Sequence, residues 1–559
     1  MQIEHLMSGR LAGKPLALAA RALRRPQLAS MGADVLRREL GITSLASLVH
    51  GRERLEPDVV PRAARAPRAL ASIASAPEGP AWASTSDALT RAYRQRRMSP
   101  IQLLERLLSE ADRLAQRQPW LRCLWTRDEE VALRAAQASS ERYARDKPLG
   151  PLDGVPVVVS EHIAIAGLLR RLGHDLSGDS PMERDATVVA RLRAEGALII
   201  GQTSMTELGL SPIGTNPKRP ALRNPHHVER CAGGSATGAA ITVSVGLAPL
   251  AVAGDGGGSL RIPAALCGVF GLKPSFGRVS RAGDALSGSL QHVGPIAASC
   301  RDLALFLDAT SSPDLADPLS LHAARARAPF AAALARGVRG LRVGVDEAEW
   351  SDATPDVQRA GRQALAALVE SGVELVDIAI PLARYASQIG FVTIAAELSS
   401  LSALNFAQQR DAFGLDTQVL LLLASQLDAR EYVRAQALRE SLRRELACAL
   451  LGVDAIALPT TQRTALTASD VDDRSGRLDS AGVRAMCRFT FLGNLSGLPC
   501  GTAPVGLDPE GLPIGLQLVG DAWDETTVLA LMAELERSGV AQPARPPYHV
   551  DLLDLTAWG

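Results

Sequence analysis

Lysine is scarce in this chain of 559 residues: only Lys14, Lys147, Lys218 and Lys273 occur, and the other basic residues are arginine. Acidic and basic residues balance to a formal net charge of zero, which argues against electrostatic recognition of nucleic acid. Aromatics are few, at 4%. The seven cysteines form no CxxC pair and are odd in number, so reduced, buried thiols are expected rather than a disulfide framework. The nine histidines include no HExxH or comparable ligand spacing, and neither a metal nor another cofactor is expected. No uninterrupted apolar run approaches the ~18–20 residues that cross a bilayer, so no membrane span is expected. The N-terminus lacks the charged, apolar and cleavage regions of a signal peptide in their usual order, which makes the cytoplasm the expected location.

Two parts of the chain read differently. Residues 1–83 read as an N-terminal extension of short helices (LAGKPLALAARALRR, SMGADVLRRELG, SLASLVHGRERL). It closes in a Pro/Ala/Arg-rich linker or surface strap over 61–83. From Ser84 to the end, apolar runs fit for buried strands (GVPVVVS, GALIIGQT, VDAIALPT, CGTAPVG, IGLQLVG) alternate with helical segments. One such segment begins at Ser99, an N-cap followed by Pro100 at the first turn. Alternation of this kind predicts an α/β fold with one large sheet covered by helices on both sides. The stretches Pro318–Arg336 and Thr460–Ser480 interrupt the pattern and read as surface or substrate-facing loops.

The chemistry concentrates in two glycine-rich serine loops. Three glycines, Gly256, Gly257 and Gly258, stand between Asp255 and Ser259, with Arg261 two residues on. Glycines let the backbone approach a bound carbonyl and turn successive N–H groups toward it. Such donors stabilise the oxyanion of acyl transfer, each worth about 10²–10³ in rate. A phosphate-binding loop would require Gly-Lys-Ser/Thr, whereas Leu-Arg follows the serine here; a purely structural glycine turn is the other reading. The second loop is Gly233-Gly234-Ser235-Ala236-Thr237-Gly238.

With GVPVVV at 154, ERDATVVARLRAEGALIIGQT at 183, GTNP at 214, QHVGPIAASCRDLALFLDA at 291, NLSGLPCGTAP and GLPIGLQLVG in order along Ser84–Arg545, the chain resembles the amidase signature family of serine hydrolases. The resemblance implies a large, mixed, twisted β-sheet flanked by helices. It implies Ser259 as nucleophile, the backbone of residues 256–259 as oxyanion hole, and Ser235, after a cis peptide bond, as a proton relay. Asp255 and Arg261 would then be supporting residues. The implied reaction is hydrolysis of a small-molecule carboxylic amide, or a related ester or carbamate, through an acyl-Ser259 intermediate. One family branch supplies the amide-hydrolysing component of a tRNA-dependent amidotransferase; the N-terminal extension and the absence of basic bias count against it here.

The family's third catalytic residue is a lysine at the end of a PVxVK strand, and here Ser160 occupies that position. A buried lysine can act as a neutral base, whereas a serine hydroxyl has no useful basicity near neutral pH. Impaired turnover is therefore expected; the alternative is a silent amidase-like binding protein or partner subunit. Three accounts stay open: an engineered knock-out of an active amidase, a natural variant repurposed for binding or for activated substrates, and a base moved to Glu161 or His162. If the strand continues, Glu161 points to the opposite face and His162 returns to the side of Ser160. Nothing in the sequence sets the oligomeric state; a homodimer is one option.

Overall fold

The computed structural model describes residues 9–48, 60–66, 84–176, 180–323 and 329–554. Its centre is an eleven-stranded sheet. In chain order the strands are β1 (Leu124–Arg127), β2 (Pro156–Ser160), β3 (Leu198–Thr203), β4 (Leu250–Asp255), β5 (Phe270–Lys273) and β6 (His292–Ala297). They continue with β7 (Arg342–Val345), β8 (Glu374–Asp377), β9 (Ala455–Pro459), β10 (Cys500–Leu507) and β11 (Pro513–Gly520). Across the sheet the order is β1-β3-β2-β4-β6-β5-β10-β11-β9-β7-β8. The sheet is mixed: β2 runs parallel to both β3 and β4, whereas β4–β6, β5–β10 and β10–β11 are antiparallel.

The apolar runs become central strands because both faces are covered, and every residue of β2, β3 and β4 is buried. The helix after Ser99 spans Pro100–Arg117 and carries a full capping box, with the Ser99 side chain on the Gln102 N–H and the Gln102 side chain on the Ser99 N–H.

Helices α1 (Gly13–Ala22) and α2 (Pro26–Glu39) lie near the N-terminus. Further on come α3 (Thr237–Ser244), α4 (Arg261–Cys267), α5 (Ala386–Gln409), α6 (Leu415–Ala424), α7 (Ala429–Gly452) and α8 (Phe491–Ser496). The N-terminal helices do not stand apart from the rest. Leu16, Ala19, Ala20 and Leu23 form one apolar cluster with Val419, Leu422 and Leu423 of α6. Arg37 adds a two-pronged ion pair with Glu431 at the start of α7. Of the Pro/Ala/Arg strap, residues 67–83 lie outside the described residues, but the Ala64 and Arg65 N–H groups both bond the Asp521 carboxylate. The Thr460–Ser480 stretch holds a short helix, Asp470–Ser475, and a two-residue strand, Leu478–Asp479, paired with Arg10–Leu11.

The stretch Ala383–Ala412, which contains α5, is long and apolar enough by length and composition to cross a membrane. A search for unbroken apolar runs misses it because serine, threonine and glutamine are interleaved along it. In this fold it packs on α6, α7 and α8.

Candidate active site

Because β2 and β4 are adjacent and parallel, their C-terminal ends emerge on the same edge of the sheet. Ser160 is the last residue of β2, and Asp255, the last of β4, opens the glycine loop. The sheet thus sets Ser160 on the same edge as the loop that carries Ser259.

Asp255 and Arg261 anchor that loop from beneath. Both are fully buried, and the guanidinium grips the carboxylate with two hydrogen bonds, Nε to Oδ2 and Nη2 to Oδ1, each 2.9 Å. Arg261 also donates to Asn494 Oδ1 (2.6 Å), Gln517 Oε1 (2.7 Å) and the Thr490 carbonyl (2.8 Å). Asn494 Nδ2 returns a bond to Asp255 Oδ1 at 2.9 Å. Burial alone would raise the Asp255 pKa, but the Arg261 cation outweighs it and holds the carboxyl well below the usual carboxylate range.

The Gly258 N–H donates to Asp255 Oδ1 at 2.7 Å, so it is taken up in shaping the loop. This narrows the expected oxyanion donors: among the described residues, the N–H groups of Gly256, Gly257 and Ser259 are the ones not engaged elsewhere in the loop. Gly258 itself has a φ of +125°, and a Cβ there would meet Thr490 Oγ1 at 2.6 Å; only glycine fits.

Ser235 sits at the N-terminal approach to α3, after a cis Gly234–Ser235 bond. Its carbonyl accepts the Thr206 N–H, and the next residue's N–H bonds the Ser259 carbonyl at 3.3 Å, tying the two serine loops together. Ser235 and Ser259 both line one cavity of about 210 Å³, with Gly256 and Gly257 beside them. Away from the serines its wall is mostly apolar, with Leu36 and Leu40 from the N-terminal segment, Ile394 and Leu398 from α5, and Leu420 and Leu423 from α6, interrupted by Arg37, Glu207, Glu397, Asp416 and Arg477.

Ser160 is fully buried and does not line this cavity. Its Oγ lies 2.9 Å from His162 Nδ1. Glu161 turns the other way, accepting from the Met205 N–H (2.9 Å) and from Arg219 Nη2 (2.7 Å). Lys273, fully buried, donates to the carbonyls of Leu498 (2.6 Å) and Pro274 (2.9 Å), so it is committed to holding the chain around α8 and not to Ser160. Burial lowers its pKa to about 8.

Sequence reasoning did not foresee Asn494, Thr490 and Gln517, which complete the Asp255–Arg261 cluster, or Asp284 and Gln291 near His162. They come from distant segments with no local spacing to mark them.

The mixed sheet brings two glycine-bracketed serines, Ser235 and Ser259, to one cavity. Comparison with known proteins gives the class: an amide-hydrolysing enzyme acting on C–N bonds. The amidase family model matches residues 103–529, and the chain belongs to the amidase signature family. It is 32% identical over 462 residues to a fatty acid amide hydrolase of Arabidopsis thaliana, covering 80% of this chain and 74% of that one. It is 35% identical over 460 residues to a component of the glutamyl-tRNA(Gln) amidotransferase of Roseiflexus castenholzii (strain DSM 13941 / HLO8), covering 77% and 91%. Among solved structures, an amidase superimposes with a TM-score of 0.70 at 30% identity, over 81% of this chain and 99% of the other. A protein from a vestigial complex related to an s-triazine catabolic enzyme does so with 0.76 at 29%, over 82% and 99%.

Proposed function

We propose that this enzyme hydrolyses a carboxylic amide bearing an extended apolar group. The reaction runs through an acyl-Ser259 intermediate, and turnover is held down by the serine at position 160. The observation that carries this reading is the joint placement of Ser235, Ser259 and the Gly256–Gly257 backbone in one cavity whose wall is mostly apolar, rich in leucine and isoleucine, with Arg37, Glu207, Glu397, Asp416 and Arg477 among its polar lining. Ser259 Oγ attacks the carbonyl carbon, the loop N–H groups hold the developing oxyanion, and Ser235 passes the proton. The amine departs, water releases the acid, and the apolar group stays in the cavity throughout. The N-terminal helices would then be part of the substrate site, because α2 supplies Leu36. The name of the Arabidopsis relative fits an apolar substrate. The seven unpaired cysteines fit a reducing cytoplasm.

The test is turnover of acyl p-nitroanilides of increasing chain length. At about 0.8 kcal/mol per buried methylene, a chain longer by four carbons should raise kcat/KM by roughly two orders of magnitude. Ser259→Ala should lose at least about 10³-fold, and Ser160→Lys, checked by its melting temperature for intact folding, should gain about tenfold or more. Equal rates for acetyl and long-chain substrates would remove the apolar specificity; no turnover by either the parent chain or Ser160→Lys would remove the hydrolase reading.

A further inference from the structure

We propose that His162, paired with Asp284, is the proton acceptor of this site and acts on the reacting atoms through the hydroxyl of Ser160, in place of the lysine. The inference rests on Ser259 as nucleophile and deepens that reading.

Three observations carry it. First, His162 Nδ1 lies 2.9 Å from Ser160 Oγ, so the residue standing at the base position is itself hydrogen-bonded to an imidazole. Second, the other ring nitrogen, Nε2, faces Asp284 Oδ1 at 3.6 Å, with both side chains almost fully buried. Asp284 accepts from Gln291 Nε2 (2.9 Å) and from the Leu286 N–H (2.8 Å); both partners are donors, as an ionised carboxylate requires. A carboxylate opposite Nε2 favours the tautomer with its hydrogen on Nε2, which leaves Nδ1 as the acceptor toward the Ser160 hydroxyl. Third, the pair abuts the nucleophile strand. A Cβ on Gly254, one residue before Asp255, would lie 2.7 Å from His162 Nε2 and would collide with Gln291 Nε2. Gly254 and Gln291 also line the cavity that holds Ser235 and Ser259.

The proton balance closes. As Ser259 Oγ forms its bond to the carbonyl carbon, its proton passes to Ser235 and the Ser235 proton to Ser160. The Ser160 proton moves to His162 Nδ1, giving an imidazolium that Asp284 faces. When the C–N bond breaks, His162 returns its proton through Ser160 and Ser235 to the leaving nitrogen, and Ser259 is left acylated. Water then attacks the ester, its proton follows the same path out and back to Ser259 Oγ, and the acid leaves with the enzyme restored. Burial pushes the His162 pKa below its ordinary value, with Asp284 opposing and Arg170 adding to the fall. The imidazole is therefore neutral and basic near neutral pH, and activity rises with pH through that lowered pKa. Burial raises the Asp284 pKa, and His162, the Gln291 and Leu286 donors and Arg281 oppose that rise. Glu161, on the opposite face, is occupied by Arg219.

The experiment measures kcat/KM against pH on a long-chain acyl p-nitroanilide, and the rate of Ser259 labelling by a fluorophosphonate, for the parent chain, His162→Gln, Ser160→Ala, their double variant and Asp284→Asn. The expected result is a loss of about 10²–10⁴-fold for His162→Gln in both readouts with little change in KM. The acid limb of the profile, centred below about 6.5 in the parent, should vanish. The double variant should lose no more than either single one, as for two members of one relay. Asp284→Asn, which keeps the packing, should lower the rate and shift the acid limb. If His162→Gln keeps the parent rate within about twofold, or the acid limb survives it, the inference is wrong while the hydrolase reading stands. If Ser259 is neither labelled nor supports turnover in the parent chain, that reading fails and takes this inference with it.

Discussion

The two sides of the cleft are built on opposite principles. On the nucleophile side, both oxygens of Asp255 and all three nitrogens of Arg261 have partners, drawn from residues 258, 260, 490, 494 and 517. Around Ser160, Thr203 Oγ1, Ser204 Oγ and Thr206 Oγ1 are buried with no hydrogen-bond partner among the described residues. Thr203 is the cross-strand neighbour of Ser160. A saturated network fixes one geometry and makes each member costly to remove; an unsaturated one leaves its groups free of such constraint. The loop proposed to hold an oxyanion rests on side chains whose polar groups are fully paired, and the region around Ser160 is the part with polar capacity unused.

Substitutions on each side should expose this contrast. The largest effect is expected from Asp255→Asn. It leaves the Arg261 cation buried without its counter-charge, for a loss of about 3–5 kcal/mol in urea unfolding, together with loss of turnover as the loop relaxes. A loss below about 1 kcal/mol would show that the cluster is not the anchor described. The smallest effect is expected from Thr203→Val, which removes a buried hydroxyl that has no partner and keeps the side-chain shape. Stability should change by less than about 1 kcal/mol, in either direction. A loss of about 2 kcal/mol or more would mean that this hydroxyl is held as firmly as the groups around Asp255, and the contrast between the two sides would collapse.

Much of this was legible in the sequence, for identifiable reasons. PVVVS and LIIGQT read as central strands because a strand buried on both faces needs no alternation, and the structure places them at Pro156–Ser160 and Leu198–Thr203. The glycine loops were legible because few residues other than glycine tolerate such a backbone. The strand period does not settle the side to which His162 turns, because β2 ends at Ser160 and residues 161–162 form a turn; the contact between His162 and Ser160 comes from that turn. What escaped was contact over long chain separation. Asp284 lies 122 residues beyond His162, and no periodicity links them. The N-terminal helices were readable as helices, but nothing in their sequence says that Leu36 and Leu40 face a cavity headed by Ser259. The Leu478–Asp479 strand within the Thr460–Ser480 loop is too short to carry a pattern at all.

The central claim is that the nucleophile half of the site is intact and that Ser259 carries the acyl group. It is tested most directly by intact-protein and peptide mass spectrometry of the chain quenched during turnover of a long-chain acyl ester. The account predicts an added acyl mass on the peptide containing Ser259, absent in Ser259→Ala. Acylation at another residue, or substrate consumption with no acyl-enzyme in either protein, would contradict it.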